Sequence, residues 1–310
     1  MTSLSSRRLE ITEFGSTLLS NLTRLANSHL STVPPGWQLA PQQVEAVLSG
    51  AHGFWRLRYP DREQAGQETL CVTELVRLAA AARLVYTHPS PGANSESPRL
   101  EAHLSWLFAD PEDDAAFGLL IDELVARAVR RGCSRVWAST RCDFGIGWFN
   151  LPDTWPHLIR GLQRAGFETV DRWVMLTSDI GLPEPAEDPP IRRRELHWEV
   201  SESSLEWRLE ARRDGEVIGE CEAWGIPPYL KGCPGYSEWV TLEWLNVAES
   251  YRRRGIGRFL LQEQLRAQAE RGVKHAMLWA ESGNLAARRF CDAAGFSPRT
   301  ESWRLVKRLG

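Results

Sequence analysis

The chain repeats itself, and the repeat sets its architecture. Residues 107–140, LFADPEDDAAFGLLIDELVARAVRRGCSRVWAST, align without a gap on residues 247–280, VAESYRRRGIGRFLLQEQLRAQAERGVKHAMLWA, at a constant offset of 140. Leu119-Leu120 falls on Phe259-Leu260, Arg131-Gly132 on Arg271-Gly272, and Val136-Trp137 on Ala276-Met277. Further along, Ala165-Gly166-Phe167 matches Ala294-Gly295-Phe296 at an offset of 129, so the first copy carries about eleven additional residues around DFGIGWFNLPD. Each copy reads as an apolar strand, a turn, a helix of about 18 residues stopped by Arg-Gly, a short strand, a second helix ending in Ala-Gly-Phe, and a last strand. The arginine lies near the negative end of the helix dipole, and the glycine supplies the left-handed cap.

Antiparallel strands are expected ahead of each copy, with a hairpin turn at Asp214-Gly215. The predicted fold is therefore α/β (α+β): two tandem units, each a mixed, mostly antiparallel sheet flanked by helices. The proline-rich, charged segment LPEPAEDPPIRRR is too broken for a core. It suggests a first domain over 1–180, a linker over 181–194 and a second domain over 195–310. HPSPGANSESP, residues 88–98, is expected to join two strands inside the first half.

Composition excludes more than it assigns. Thirty-seven basic against 40 acidic side chains give no global pull toward nucleic acid or anionic membrane, and no stretch approaches the apolar length of a membrane span. The beginning, MTSLSSRRLEITEFG, lacks the apolar core of a signal peptide. Six scattered cysteines without CxxC spacing read as reduced thiols, which points to the cytoplasm and to no metal site. Fourteen tryptophans are the one excess, suited both to core and to a pocket for a flat or bulky substrate.

Chemistry concentrates in YRRRGIGRFLLQEQLRAQAERG, residues 251–272. Ile256, Phe259, Leu260, Leu261 and Leu265 follow helical spacing and bury one face. The first four N–H groups of a helix lack internal partners and sit at the positive end of its dipole, so main chain alone can bind a phosphate there. Gly255 and Gly257 admit the anion, and Arg252, Arg253, Arg254 and Arg258 favour it. The plainer reading is a glycine turn beside a solvated basic face.

The whole pattern, V-x(4)-R-x-x-G-x-G followed by a strand and then N-x-x-A-x-x-F-x-x-x-x-G-F, resembles the GNAT superfamily of acyl-CoA-dependent N-acyltransferases. The resemblance is strong over 236–309 and rests on architecture and repeat over 8–180, a tandem arrangement of the mycothiol-synthase type. It implies acetyl-CoA as cofactor, its diphosphate on the amides of Arg252, Arg253, Arg254, Gly255, Ile256, Gly257 and Arg258. The pantetheine arm would pair with Leu245, Asn246 and Val247, and Asn284 would hydrogen-bond it. Asn284 can equally cap the following helix.

Glu243 stands where many relatives carry a general base. Strand alternation is expected to place Thr241, Glu243 and Leu245 on one face and Leu242, Trp244 and Asn246 on the other. An ion pair or a solvent-facing edge is the competing explanation for Glu243. At the position of the family's proton-donating tyrosine this chain has Cys291, which is a candidate acid but fits inert packing better. Water, Tyr236, Tyr251 or direct thiolate release are the other routes. The oxyanion donor would be an amide near Asn246 or Val247. Trp224, Tyr229 and Tyr236, in a Pro- and Gly-rich loop, are candidates for the acceptor pocket.

In the first copy the same turn reads DPEDDAAFG. Carboxylates replace arginines, and Ala115 and Phe117 replace the glycines, so this half is expected not to bind CoA. The leading function is thus acetyl transfer from acetyl-CoA to a primary amine of a small molecule or peptide by the second half, acting as a monomer or homodimer without nucleic acid or membrane partners. The alternatives are a CoA-binding sensor without transferase activity, or an interaction module.

Overall fold

The computed structural model describes residues 8–49, 64–88, 100–139, 144, 150–181, 195–200, 205–226 and 228–310, without the side chains of Trp198 and Tyr229. The chain forms two compact units: Met1–Trp173 with Thr300–Gly310, and Val174–Arg299. The expected strand connection over 88–98 falls, but for His88, outside the described residues, as does the linker segment 182–194.

The first unit contains β1 (Leu9–Glu13), α1 (Leu19–Leu30), α2 (Pro41–Leu48), β2 (Gln64–Glu74), β3 (Arg77–Thr87), β4 (Glu101–Ala109), α3 (Asp114–Arg130), β5 (Arg135–Ala138), the short β6 (Leu151–Pro152), α4 (Pro156–Arg164) and the start of β7 (Glu168–Asp179). β1 to β4 are successive antiparallel neighbours, and β5 lies parallel to β4. β4 is buried at every residue and β3 at nearly every one, with α1 and α3 packed on them. A strand covered on both faces reads as a near-continuous apolar run, which AAAARLVY and AHLSWLFA do apart from Arg83, His103 and Ser105.

Beyond His103 the parallel pairing of β4 with β5 stops, although β4 continues to Ala109. Aromatic side chains fill the space beside this part of β4. Trp106, Phe108 and Phe144 pack with centroids 5.2 to 5.7 Å apart, and Trp155 lies 5.9 Å from Phe108. His29 sits against Phe108 and Trp155 at 5.3 and 5.1 Å.

His29 Nδ1 lies 2.9 Å from the Leu25 carbonyl and can only donate to it, so Nε2 of the neutral ring is an acceptor. His157 Nε2, 3.2 Å from His29 Nε2 and 3.1 Å from the Ala109 carbonyl, is then the donor to both. A second proton on His29 would oppose two N–H groups in an apolar site. Burial accordingly pushes the His29 pKa down to about 4, with the Leu25 carbonyl and Asp110 working the other way. The folded pKa lies below the unfolded value, so stability is fully present above about pH 6.5 and is lost as pH falls through about 4. The loss is expected to approach about 3 kcal/mol. Urea unfolding of the wild type at pH 7.5 and pH 4.5 against His29→Gln should show this part of the acid sensitivity only in the wild type.

The second unit contains β8 (Leu196–Val200), β9 (Glu206–Arg213), β10 (Glu216–Gly225), β11 (Trp239–Val247), α5 (Ile256–Glu270), β12 (His275–Glu281), α6 (Leu285–Ala293) and the start of β13 (Ser297–Arg308). β8 to β11 are antiparallel neighbours, β12 is parallel to β11, and the 174–179 part of β7 lies beside β12. The Asp214-Gly215 turn has φ of 52° and 86°, the two left-handed residues a tight hairpin asks for. α5 packs on β9, β10 and β11 through Ile256, Phe259, Leu260, Leu261 and Leu265, as their spacing predicts.

The repeat is visible in detail. Gly132 and Gly272 follow their helices at φ 74° and 87°, and Gly166 and Gly295 at 83° and 86°. In the last pair the following phenylalanine N–H returns to the helix, Phe167 to Leu162 and Phe296 to Cys291, each at 3.0 Å, and both rings are buried. The last strand of each sequence half is divided between units. Residues 174–179 of β7 belong to the second unit, and residues 300–308 of β13 belong to the first. There Leu305–Arg308 pairs antiparallel with β5, and Leu309 N–H donates to Ser134 O at 2.9 Å. The compact second unit therefore spans Val174–Arg299, where the proline-rich segment suggests a second domain over 195–310. No helix among the described residues is long and apolar enough to cross a membrane.

Candidate active site

Two irregularities of β11 build the site. Its parallel pairing with β12 covers only Trp239 to Leu242, opposite His275 to Leu278, and both strands then continue unpaired to one another. Backbone polar groups on that side of Glu243–Val247 are left for another partner. On the other side, β10 pairs with Trp244 through Glu222 and with Leu242 through Ala223, so Glu243 is the extra residue of a β-bulge.

The bulge corrects the expected alternation. Val240 and Leu242 lie in the core under α5, and after the bulge Leu245 and Val247 pack on the same core, while Trp244 and Asn246 are exposed. Thr241 and Leu245 therefore do not share a face, and Leu242 does not point with Trp244 and Asn246. One inserted residue reverses the parity of everything after it. Glu243 is half-buried at the point where β11 has left β12 and β10 has skipped a residue.

From Val247 the chain passes through a 3-10 turn, Glu249–Tyr251, into α5. Arg253 has φ 61° and Gly255, the residue before α5, has φ 80°. Alternating left-handed residues turn successive amides to one side, the backbone from which anion-binding nests are made. Gly255 is required by its conformation, since a Cβ there meets the following carbonyl. Gly257 has a different reason: an added Cβ would lie 3.4 Å from Val247 Cγ2 and 3.9 Å from Phe290, so it lets the first turn of α5 rest on the end of β11. Gly219 on β10 does the same from below, where a Cβ would meet Leu260 at 3.0 Å and the Asn246 carbonyl at 3.2 Å.

Phe259 N–H donates to Gly255 O at 3.0 Å and closes the first turn, so the amides just before it project from the helix end. Ile256 is buried beneath, and Arg252, Arg253, Arg254 and Arg258 are exposed around it. Arg252 Nε donates to Val247 O at 2.9 Å, and the Arg254 guanidinium lies 5.5 Å from the Tyr251 ring centre. Among the described residues none of these four arginines has a carboxylate partner, whereas Arg208, Arg212 and Arg266 of the same unit all do.

Asn284 caps α6, its Oδ1 accepting from Ala287 N–H at 3.1 Å. Cys291 is buried in the α5–α6 core, and burial pushes its thiol up to about 11. Trp224 pairs with Thr241 in the sheet and buries its Nε1 without a hydrogen-bond partner among the described residues. Tyr236 donates to Ile226 O at 3.1 Å, bracing the two ends of the loop that holds Tyr229, whose side chain lies outside the described residues. Sequence reasoning missed the bulge, Gly219, and Arg213 at the end of β9, whose guanidinium lies 5.7 Å from the Tyr251 ring centre. Their role depends on neighbours distant in sequence, and no local pattern marks them.

The corresponding turn of the first unit is filled by the chain itself. α3 ends at Arg130, aligned with Glu270 at the end of α5, but begins two residues earlier relative to it, so Ala115, aligned with Gly255, is already inside the helix. Asp113 caps α3, accepting from Ala116 N–H at 3.1 Å, and is 2% exposed. Arg77 holds Asp113 and Asp110, each at 2.7 Å. Phe117 lies so close to α4 that a Cβ on Gly161 would fall 2.2 Å from its ring.

Residues 173–296 match the family model described as acetyltransferase (GNAT) family. No curated protein sequence matches the chain. Among solved structures it is similar to a tandem GNAT protein from the clavulanic acid biosynthesis pathway, at 14% identity and a TM-score of 0.65, covering 98% of this chain and 99% of that one. A GCN5-related N-acetyltransferase from Sphaerobacter thermophilus is similar at 15% identity and a TM-score of 0.63, covering 99% and 98%. The glucosamine N-acetyltransferase region of a fungal multi-domain GH3 β-N-acetylglucosaminidase is similar at 12% identity and a TM-score of 0.68, covering 99% of this chain and 39% of that one. At these identities the likeness is one of fold, and it extends over nearly the whole length. The chain has a tandem GNAT fold, and its residues 173–296 match the acetyltransferase (GNAT) family model.

Proposed function

We propose that the second unit transfers acetyl from acetyl-CoA to a primary amine of a small molecule or peptide. The observation that carries this reading is the parting of β11 from β12 directly before a left-handed, glycine-bearing turn ringed by arginines that have no carboxylate partner among the described residues. An unpaired strand edge suits an amide-bearing arm, and the turn suits a diphosphate. The family match over the same residues supports the pairing of the two.

Acetyl-CoA would supply an activated thioester. The amides from Arg253 to Arg258 would hold its diphosphate, and the free edge of Leu245–Val247 would align its arm. Glu243, beside that edge, takes the proton that the attacking ammonium must lose, a role worth roughly 10²- to 10⁴-fold in rate. An amide near Asn246 or Val247 would stabilise charge on the carbonyl oxygen. The face of β9–β11 away from α5 carries Glu206, Glu210, Glu220 and Glu222 against Arg208 and Arg212, which suits an acceptor arriving as a cation. Burial and the neighbouring Glu222 raise the Glu206 pKa. We place no role in the first unit's turn, because Asp113 occupies the helix end an anion would need.

The core position of Cys291 argues for packing. Cys291→Ala should lower stability by about 1 kcal/mol and leave turnover within about twofold; a loss of turnover without a loss of stability would make the thiol the proton donor. The proposed activity is tested by release of free thiol from acetyl-CoA against a panel of amines. Thiol release that depends on an amine supports it. Saturable acetyl-CoA binding without release for any amine would instead favour a CoA-binding sensor, which the missing tyrosine at position 291 also suits.

A further inference from the structure

We infer that Arg213, outside the glycine turn, binds the 3′-phosphate of CoA and makes the second unit selective for CoA over carriers lacking that phosphate. The inference rests on the proposed acetyl-CoA site and adds a recognition element from a different strand. Arg213 is the last residue of β9 and faces Glu216 across the hairpin, yet it forms no ion pair with Glu216. Its guanidinium instead lies 5.7 Å from the Tyr251 ring centre, with Arg254 at 5.5 Å from the same ring. Tyr251 is half-buried and packs against the core under α5.

Two like charges on one ring repel, and cation–π attraction at an exposed ring offsets only part of that, about 0.5 to 1 kcal/mol each. No carboxylate among the described residues is bonded to either guanidinium. Glu249, the acid in the turn, forms no ion pair among the described residues, whereas Arg212 beside Arg213 is paired with Glu210. A diphosphate at the helix end accounts for the arginines of the turn. It does not account for a cation brought from β9 to the Tyr251 ring. A phosphomonoester next to the diphosphate does: it carries nearly two negative charges at neutral pH and accepts from two guanidiniums at once.

The test is calorimetry of the full chain with CoA and with dephospho-CoA, for the wild type, Arg213→Ala and, as a variant of similar length, Arg213→Gln. The wild type should bind CoA about tenfold more tightly than dephospho-CoA. Either variant should lose about tenfold for CoA and nothing for dephospho-CoA, with an unchanged thermal midpoint of the free protein. Equal loss for both ligands, or no preference in the wild type, would overturn the assignment while leaving the acetyl-CoA site standing. Absence of binding for both ligands to the wild type would remove the site itself, and the assignment with it.

Discussion

Gly255→Glu is expected to reduce acetyl-CoA affinity by at least about a hundredfold, near 2.7 kcal/mol, measured by calorimetry. Two effects add. Gly255 has φ 80°, where a Cβ costs about 1–2 kcal/mol. The carboxylate would also project at the helix end where a diphosphate must sit, opposing it at short range with little solvent between. Gly255→Asn removes both, because asparagine tolerates the left-handed region and carries no charge. It should lose much less affinity than the glutamate variant. Equal losses would mean that neither charge nor left-handed strain is at stake, only the presence of a side chain, and an unchanged affinity in Gly255→Glu would move the anion elsewhere.

Glu243→Gln should lower kcat by roughly 10²- to 10³-fold while leaving acetyl-CoA affinity within about twofold. The substitution keeps size and hydrogen-bonding capacity at the bulge and removes only the ability to accept a proton. The position gives the expectation its weight: Glu243 is opposite no residue of β10 and lies beyond the last pair with β12. A structural carboxylate there would affect stability and affinity together. A proton acceptor affects turnover, and also the acidic limb of its pH profile, which should vanish in the variant. An unchanged rate would assign proton removal to another group.

The two-unit architecture was legible because helix stops are local. Arg131-Gly132, Arg271-Gly272 and both Ala-Gly-Phe sequences place left-handed glycines just after helices, and the structure has them there. The glycine turn was legible for the same reason, since Gly255 and Arg253 obey constraints set within a few residues. What escaped was non-local. The bulge at Glu243 is a property of the pairing between β10 and β11, and alternation read along β11 alone assigned the wrong faces beyond it. The ends of the units escaped because Val174 and Leu305 lie in strands whose partners are chosen by sheet order, which periodicity does not encode. Asn284 shows the opposite limit: its capping bond is visible in both sequence and structure, and it neither adds to nor removes a role toward a ligand.

For the proposal that the first turn binds no CoA, the structure supplies an argument beyond the loss of glycines. Asp113 already satisfies the helix end, Arg77 neutralises it, and the aromatic cluster of Trp106, Phe108, Phe144 and Trp155 fills the space where β4 leaves β5. Restoring arginines there would therefore not restore an anion site.

A structure determined with acetyl-CoA bound tests the assignment most directly. The diphosphate should lie on the amides between Arg253 and Arg258, with the arm along Leu245–Val247 and one molecule per chain. Density for the carrier at the Asp113 end of α3, or at neither helix, would contradict it.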